Sequence, residues 1–163
     1  MTRQERNEKA LKSLHPQFSV RLRLLIERAQ VMRDMELLIV QARRSFADQQ
    51  RIYLSGVRAA PPGHSFHELG LAADLLDVRG GIEPGRYDSA DWEATNYDWI
   101  ADQAETLGMV AGHRWERKDS PHLEYHPGGW GPRSAHLVAK LADDNGRLPD
   151  DFFEHPPTGG TIA

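Results

Sequence analysis

The feature that most restricts this chain is the run Gly63-His64-Ser65-Phe66-His67-Glu68-Leu69-Gly70-Leu71-Ala72-Ala73-Asp74, answered much later by Asp119-Ser120-Pro121-His122-Leu123-Glu124. Imidazoles and carboxylates grouped this way suit one divided metal site. Zinc takes His nitrogen or carboxylate oxygen at about 2.0–2.2 Å, and a catalytic site uses three protein ligands with one position left for water. His67-Glu68 begins like the helical H-E-x-x-H signature, but Leu71 stands where the second His belongs. On a helix His67 and Asp74 would lie roughly 10.5 Å apart along the axis, too far to share an ion. If both bind it, the chain must double back. Gly70 can supply that reversal, since glycine takes positive φ at little steric cost. Leu71 to Val78 then reads as a buried strand carrying Asp74 out of an apolar run. A carboxylate inside such a run needs a partner, and a metal is one.

The second segment brings a third donor. His122 opens a strand-like run to His126, with Leu123 and Tyr125 on the opposite face. Asp119, three residues earlier, would face away from His122 in an unbroken strand. Pro121 lacks an amide hydrogen and restricts Ser120, so a bend is expected that brings Asp119 beside the ion without making it a ligand. A carboxylate so placed can take a proton from metal-bound water, whose pKa falls towards about 7. His64 and His126 are near enough in sequence to replace either imidazole. Ser65 reads as a turn or supporting hydrogen-bonder, because no His-Asp relay surrounds it. Glu124 shares a strand face with His122, either orienting it or forming an exposed salt bridge, and Glu68 reads as a surface residue.

Ser65-x-His67-x-x-Gly70-x-Ala72-x-Asp74 followed by Asp119-x-x-His122 resembles the zinc peptidases of peptidoglycan, which include D-alanyl-D-alanine carboxypeptidases and phage L-alanyl-D-glutamate endopeptidases. The resemblance spans roughly Leu37 to Tyr125. It implies His67, Asp74 and His122 as zinc ligands and Asp119 as catalytic base. Carboxypeptidase members generally carry Glu in the base position, whereas the phage endopeptidases resemble this chain in having Asp. The family also often shows Gly-Tyr-Arg-Ser ahead of an amphipathic helix; here Arg44, Ser45, Gln49, Ile52 and Tyr53 fit, while Ala42 and Arg43 depart from it.

Arg44 is a candidate for gripping a substrate carboxylate or a developing oxyanion. Its alternatives are a surface pair with Asp48 at i, i+4 and replacement in the role by Arg43. Gln49 and Ser65 are candidate substrate contacts. Trp115 either walls the cleft or packs in the core.

A chain of 163 residues suits one domain. We place the domain at 1–143 and a Pro/Gly-rich tail at 144–163, anchored only by Phe152 and Phe153. The absence of cysteine excludes thiolate ligands and disulfides. The N-terminus leads into no apolar signal segment and no run reaches membrane-span length, so cytoplasmic synthesis without membrane insertion is expected. A net charge of −4 argues against nucleic-acid affinity.

Helices are expected from Thr2 to Ser13, along the Phe18-Leu22-Leu25-Ala29 stripe, from Ser45 to Tyr53, from Trp92 to Leu107 and from Ser134 to about Asp143. Strands are expected over Met35–Gln41, Leu71–Val78, Met109–Trp115 and His122–His126. Gly80 to Asp91 reads as a solvated acidic loop and Gly128 to Pro132 as a turn. The expected fold is α+β, a small antiparallel sheet carrying the ligands with helices on one side; by resemblance it is that of the wall peptidases and the Hedgehog signalling domain.

The expected function is zinc-dependent hydrolysis of the L-alanyl-D-glutamate bond in the peptidoglycan stem. The chain would act as a monomeric endolysin that reaches the wall after holin-dependent release. D-alanyl-D-alanine carboxypeptidase action is the alternative, and a non-catalytic zinc module that binds a partner is the alternative of another class.

Overall fold

Thr2 begins the chain's order, because its hydroxyl accepts the Glu5 N–H at 3.1 Å while the Glu5 carboxylate accepts the Thr2 N–H at 2.6 Å. This reciprocal cap starts α1 (Arg3–Lys12) and leaves few orphan donors. The computed structural model describes residues 1–79, 94–126, 130–131 and 133–155. The expected acidic loop, the start of the fourth helix and most of the Gly128 to Pro132 turn lie outside them.

Pro16 at the first turn and His15 as cap launch α2 (Pro16–Arg33), whose Phe18, Leu22, Leu25 and Ala29 are fully buried in one stripe. Strand β1 (Leu37–Gln41) then pairs antiparallel with β2 (Ala72–Asp77), β2 with β4 (His122–Glu124), and β4 with β3 (Val110–Ala111). The sheet order is β1-β2-β4-β3, the α+β arrangement the pattern predicts. Between them come α3 (Phe46–Leu54), capped by Ser45, and α4 (Ala94–Thr106).

Side-chain alternation divides the sheet. Leu37, Ile39, Leu75 and Leu123 join the main core with α2, while Leu38, Leu76 and Val78 form a smaller cluster. Asp74, His122 and Glu124 alternate with Leu75 and Leu123, so they stand on the face away from the main core. The outer edge of β1 is covered by Asn7, which donates to Leu37 O and accepts from Ile39 N–H, both at 2.9 Å. One side chain thereby replaces a neighbouring strand.

Three expectations change. The predicted strand Met109 to Trp115 is only two residues long, because Gly112–Arg114 turns into a 3-10 segment. Gly112 is there because a Cβ would lie 2.6 Å from Asp119 O and 3.1 Å from the His122 Cβ. β4 stops at Glu124 rather than His126. Ser134 does not cap by its side chain, since its hydroxyl donates to Gly131 O at 2.6 Å, and the short α5 (Ala135–Val138) gives way to a 3-10 turn. The described part of the C-terminal segment packs on the body through Phe152 and also through Leu148, which is 2% exposed. The sequence pattern hides Leu148, because a lone Leu between Arg and Pro has no periodicity.

Gly70 makes the reversal expected of it, at φ +68°. Its carbonyl accepts the His15 N–H at 2.9 Å, and a Cβ would stand 3.1 Å from His15 N. Gly70→Ala is therefore expected to lower stability by about 1–3 kcal/mol. Urea unfolding checks this, with an unchanged midpoint counting against the assigned strain.

Candidate metal centre

The antiparallel register places Asp74 directly opposite His122, and the Gly70 reversal returns His67 to the same place. Asp74 Oδ1 lies 3.0 Å from His122 Nδ1 and 3.5 Å from His67 Nε2. The two imidazole rings are 5.1 Å apart, edge to face. One donor atom from each of the three residues falls within 4.8 Å of the others. Four-coordinate zinc geometry spans similar separations, so two imidazoles and one carboxylate fit a borderline divalent cation.

Each imidazole is oriented from behind. His67 Nδ1 donates to Ala42 O at 2.9 Å, which turns Nε2 to the centre. His122 Nε2 donates to Glu124 Oε1 at 2.9 Å, which turns Nδ1 to the centre. Of the two roles open to Glu124, orientation holds: the residue is 4% exposed, so it is no surface salt bridge. Supports of this kind fix the tautomer and make the ligand more basic.

Burial by itself would raise the Asp74 carboxyl, yet the hydrogen bonds and charges of His122 and His67 hold it well below the usual carboxylate range. Burial would likewise lower His122, but its bonds to Asp74 and Glu124 push it up to about 10. Glu124 is held below its ordinary value by His122 and His126 against its own burial. A proton on His122 would therefore compete with a metal held by this cluster.

The remaining predicted residues are distributed around this centre. The Asp119 carbonyl accepts the His122 N–H at 3.1 Å, so the two residues close one turn, and both lie against Gly112. Trp115 packs its ring 5.3 Å from that of His122, half-buried beside the centre rather than in the main core. Arg44 donates to Gln49 Oε1 at 2.7 Å, and buried Gln49 donates to Ala60 O at 2.6 Å. Asp48 bonds Ser45 and Arg51 instead of Arg44. Arg43 reaches Asn145 O, away from the centre. Ser65 accepts the His67 N–H at 3.3 Å, the turn role expected.

His64 is exposed and stacks on His136, while His126 stacks on Phe66 at 5.0 Å; neither joins the three-residue group.

Two residues escape the sequence reading. Glu68 is half-buried rather than on the surface: its carboxylate accepts N–H groups of Gly63 and Ser65 at 3.0 and 3.1 Å and shapes the loop before His67. The Ser65-x-x-Glu68 spacing, that of a capping box, is the signal for it. His113 is buried and ties Ser120 at 2.9 Å to Asp98 at 2.7 Å, fixing the loop that carries Asp119. No local pattern announces that pairing.

A four-stranded α+β fold among the described residues brings two imidazoles, each oriented by a backbone or carboxylate oxygen, and one carboxylate to a point where they can hold a divalent cation. Residues 11–130 match the family VanY, D-alanyl-D-alanine carboxypeptidase, and the chain belongs to that family of peptidases. It is 32% identical over 113 residues to the peptidoglycan L-alanyl-D-glutamate endopeptidase CwlK of Bacillus subtilis (strain 168), covering 63% of this chain and 68% of that one. It is 29% identical over 130 residues to YodJ of the same organism, of which it spans 46%.

Among solved structures, the Serratia marcescens L-Ala D-Glu endopeptidase ChiX superposes with a TM-score of 0.59 at 23% identity, over 74% of this chain and 86% of that one. The LD-carboxypeptidase LdcB gives a TM-score of 0.54 at 22% identity, over 78% and 70%. These likenesses show the shared fold.

Two outcomes test the centre. Glu124→Ala is expected to weaken zinc binding by about 10–100-fold in chelator competition while circular dichroism stays native. Uptake by the metal-stripped protein should strengthen about tenfold per pH unit from pH 6 to 8, because below about 10 His122 must release one proton to ligate. A pH-independent affinity would contradict the assigned competition.

Proposed function

We propose that this chain is a zinc-dependent peptidoglycan peptidase that hydrolyses the bond between L-alanine and D-glutamate in the stem peptide. The observation that carries the proposal is the convergence of His67, Asp74 and His122 on one point, each held for ligation. Zinc fits that donor set and when bound supplies Lewis-acid polarisation of water and of the scissile carbonyl. The similarity to CwlK and the aspartate in the base position favour the L-alanyl-D-glutamate bond.

Asp119, fixed one turn before His122, accepts the proton of the attacking water and returns it to the leaving amine nitrogen as the amide C–N bond breaks. Arg44, steadied by Gln49, donates to the developing oxyanion or to a stem carboxylate. Trp115 shields the His122 side from solvent. The proposal extends to place of action: an endolysin made in the cytoplasm that reaches the wall after holin-dependent release, lysing cells when co-expressed with a holin and not alone.

The second reading is D-alanyl-D-alanine carboxypeptidase action, which the family description favours. Mass spectrometry of digested muropeptides separates the two. Glycan capped by L-alanine with free stems beginning at D-glutamate is expected, whereas loss of terminal D-alanine alone selects the second reading.

Asp119→Ala is expected to lower kcat by about 10²–10⁴-fold with zinc near one per chain. Undiminished turnover in that variant removes the assigned base, and no turnover in the parent protein selects the non-catalytic module.

A further inference from the structure

An open groove of about 650 Å³ runs between the start of α3, the loop from Gly63 to Leu69 and the turn from Asp143 to Gly146. That volume lies within the range of small-molecule sites. The turn is beyond the residues matched to the family, which end at 130. It is nevertheless a fixed wall. The Asp143 carboxylate accepts the N–H groups of Asn145 and Arg147, both at 2.9 Å, and Gly146 sits at φ +71°. Arg43 spans the groove to Asn145 O, and beyond the turn Leu148 is buried while Pro149 O accepts from His15 at 2.8 Å.

The lining mixes Phe46, Leu69 and Ala139 with charged and polar side chains. Phe46 borders it with its side chain 61% exposed, an uncommon place for a phenyl ring. In the same lining, the exposed side chains of Asp144 and Asn145 make no hydrogen bond within the described residues. An exposed aromatic ring sharing a groove with a free amide and a free carboxylate suits a pyranose, which offers a C–H face to a ring and hydroxyls to polar groups.

Two residues of the groove are tied to the segment that carries His67. Arg44 and Ser65 line it, and both bond the backbone of His67, Arg44 N–H to His67 O at 3.0 Å and Ser65 Oγ from His67 N–H.

We infer that this groove is a saccharide subsite that holds the N-acetylated glycan to which the stem peptide is attached. The inference rests on the peptidoglycan reading above and deepens it. L-alanine is the stem residue joined to the muramyl sugar. The L-alanyl-D-glutamate bond therefore lies one residue from the glycan, within about 3.5 Å of extended chain, while the terminal D-alanine bond is about 14 Å away. A sugar groove that begins beside His67 brings the first bond to the centre and leaves the second well beyond it.

The test compares a disaccharide-linked tetrapeptide with the same tetrapeptide lacking sugar, and measures calorimetric binding of the peptide-free N-acetylglucosaminyl-N-acetylmuramic acid disaccharide. The parent protein should show the lower KM for the sugar-linked stem and saturable binding of the disaccharide. Phe46→Ala, at an exposed position, should raise KM for the sugar-linked stem roughly five- to tenfold with kcat retained and leave the free stem unchanged. Asp144→Ala should weaken disaccharide binding in the same direction. Equal KM values for the two stems, or disaccharide binding that is absent in the parent or unchanged in both variants, overturns the inference. If neither stem is cut, the proposed hydrolysis fails, and the disaccharide titration still decides the subsite.

Discussion

One cross-strand pair organises the molecule: Asp74 opposite His122 across β2 and β4. In an antiparallel sheet, a one-residue slip of register would send one of the two to the core face and separate them completely. The register is held by what lies on that other face, where Leu75 and Leu123 are almost wholly buried against α2. The hydrophobic core thus specifies where a charged pair meets, and the pair itself adds direction rather than bulk stability. A buried charge pair has desolvation to overcome, and here the compensation is a network of Asp74, His122, Glu124 and His67 in which every imidazole has an oxygen behind it.

The same network explains why the centre favours a cation. Two carboxylates flank His122, and with His67 across from Asp74 the cluster attracts positive charge whether it comes as a proton or a metal. Asp74 alone faces both imidazoles, so it is the group that either species must satisfy. Glu124 keeps its partner oriented without entering the donor group, and that division of roles follows from strand alternation: residues 122 and 124 share a face but stand one full repeat apart.

Much of this was legible in the chain because it rests on local rules. The Thr2-x-x-Glu5 cap, the Ser45 cap, the α2 stripe and the Gly70 reversal are all short-range signals, and each forms where the sequence places it. The clustering of His67, Asp74 and His122 is legible from spacing joined to resemblance. What escaped was long-range. Asn7 replaces a strand for β1 from 30 residues away, and His113 reaches back to Asp98 across 15. β3 is shorter than its sequence pattern predicts because Asp119 approaches Gly112 closely where the strand ends, a contact that no periodicity reports. The sequence does not divide core from cleft for Trp115, since a large aromatic satisfies either pattern; its ring lies against His122.

His15 connects features that are otherwise remote. Its backbone N–H holds the Gly70 carbonyl, its ring caps α2 through the Gln17 N–H at 3.2 Å, and its Nε2 meets Pro149 O. The reversal that delivers His67 and the segment that walls the groove are therefore anchored on one residue at the start of one helix. Phe153 packs on the same ring at 5.3 Å and stacks on Tyr125 at 4.4 Å, one residue after β4 ends. With Gly146 lying against Glu68 O, the C-terminal segment approaches both sequence stretches that carry the candidate ligands. A segment so attached is positioned by the fold itself, on the same helix start that holds the reversal between His67 and Asp74. Such anchoring is what the proposed subsite needs if it is to set which bond of a flexible stem reaches the candidate centre.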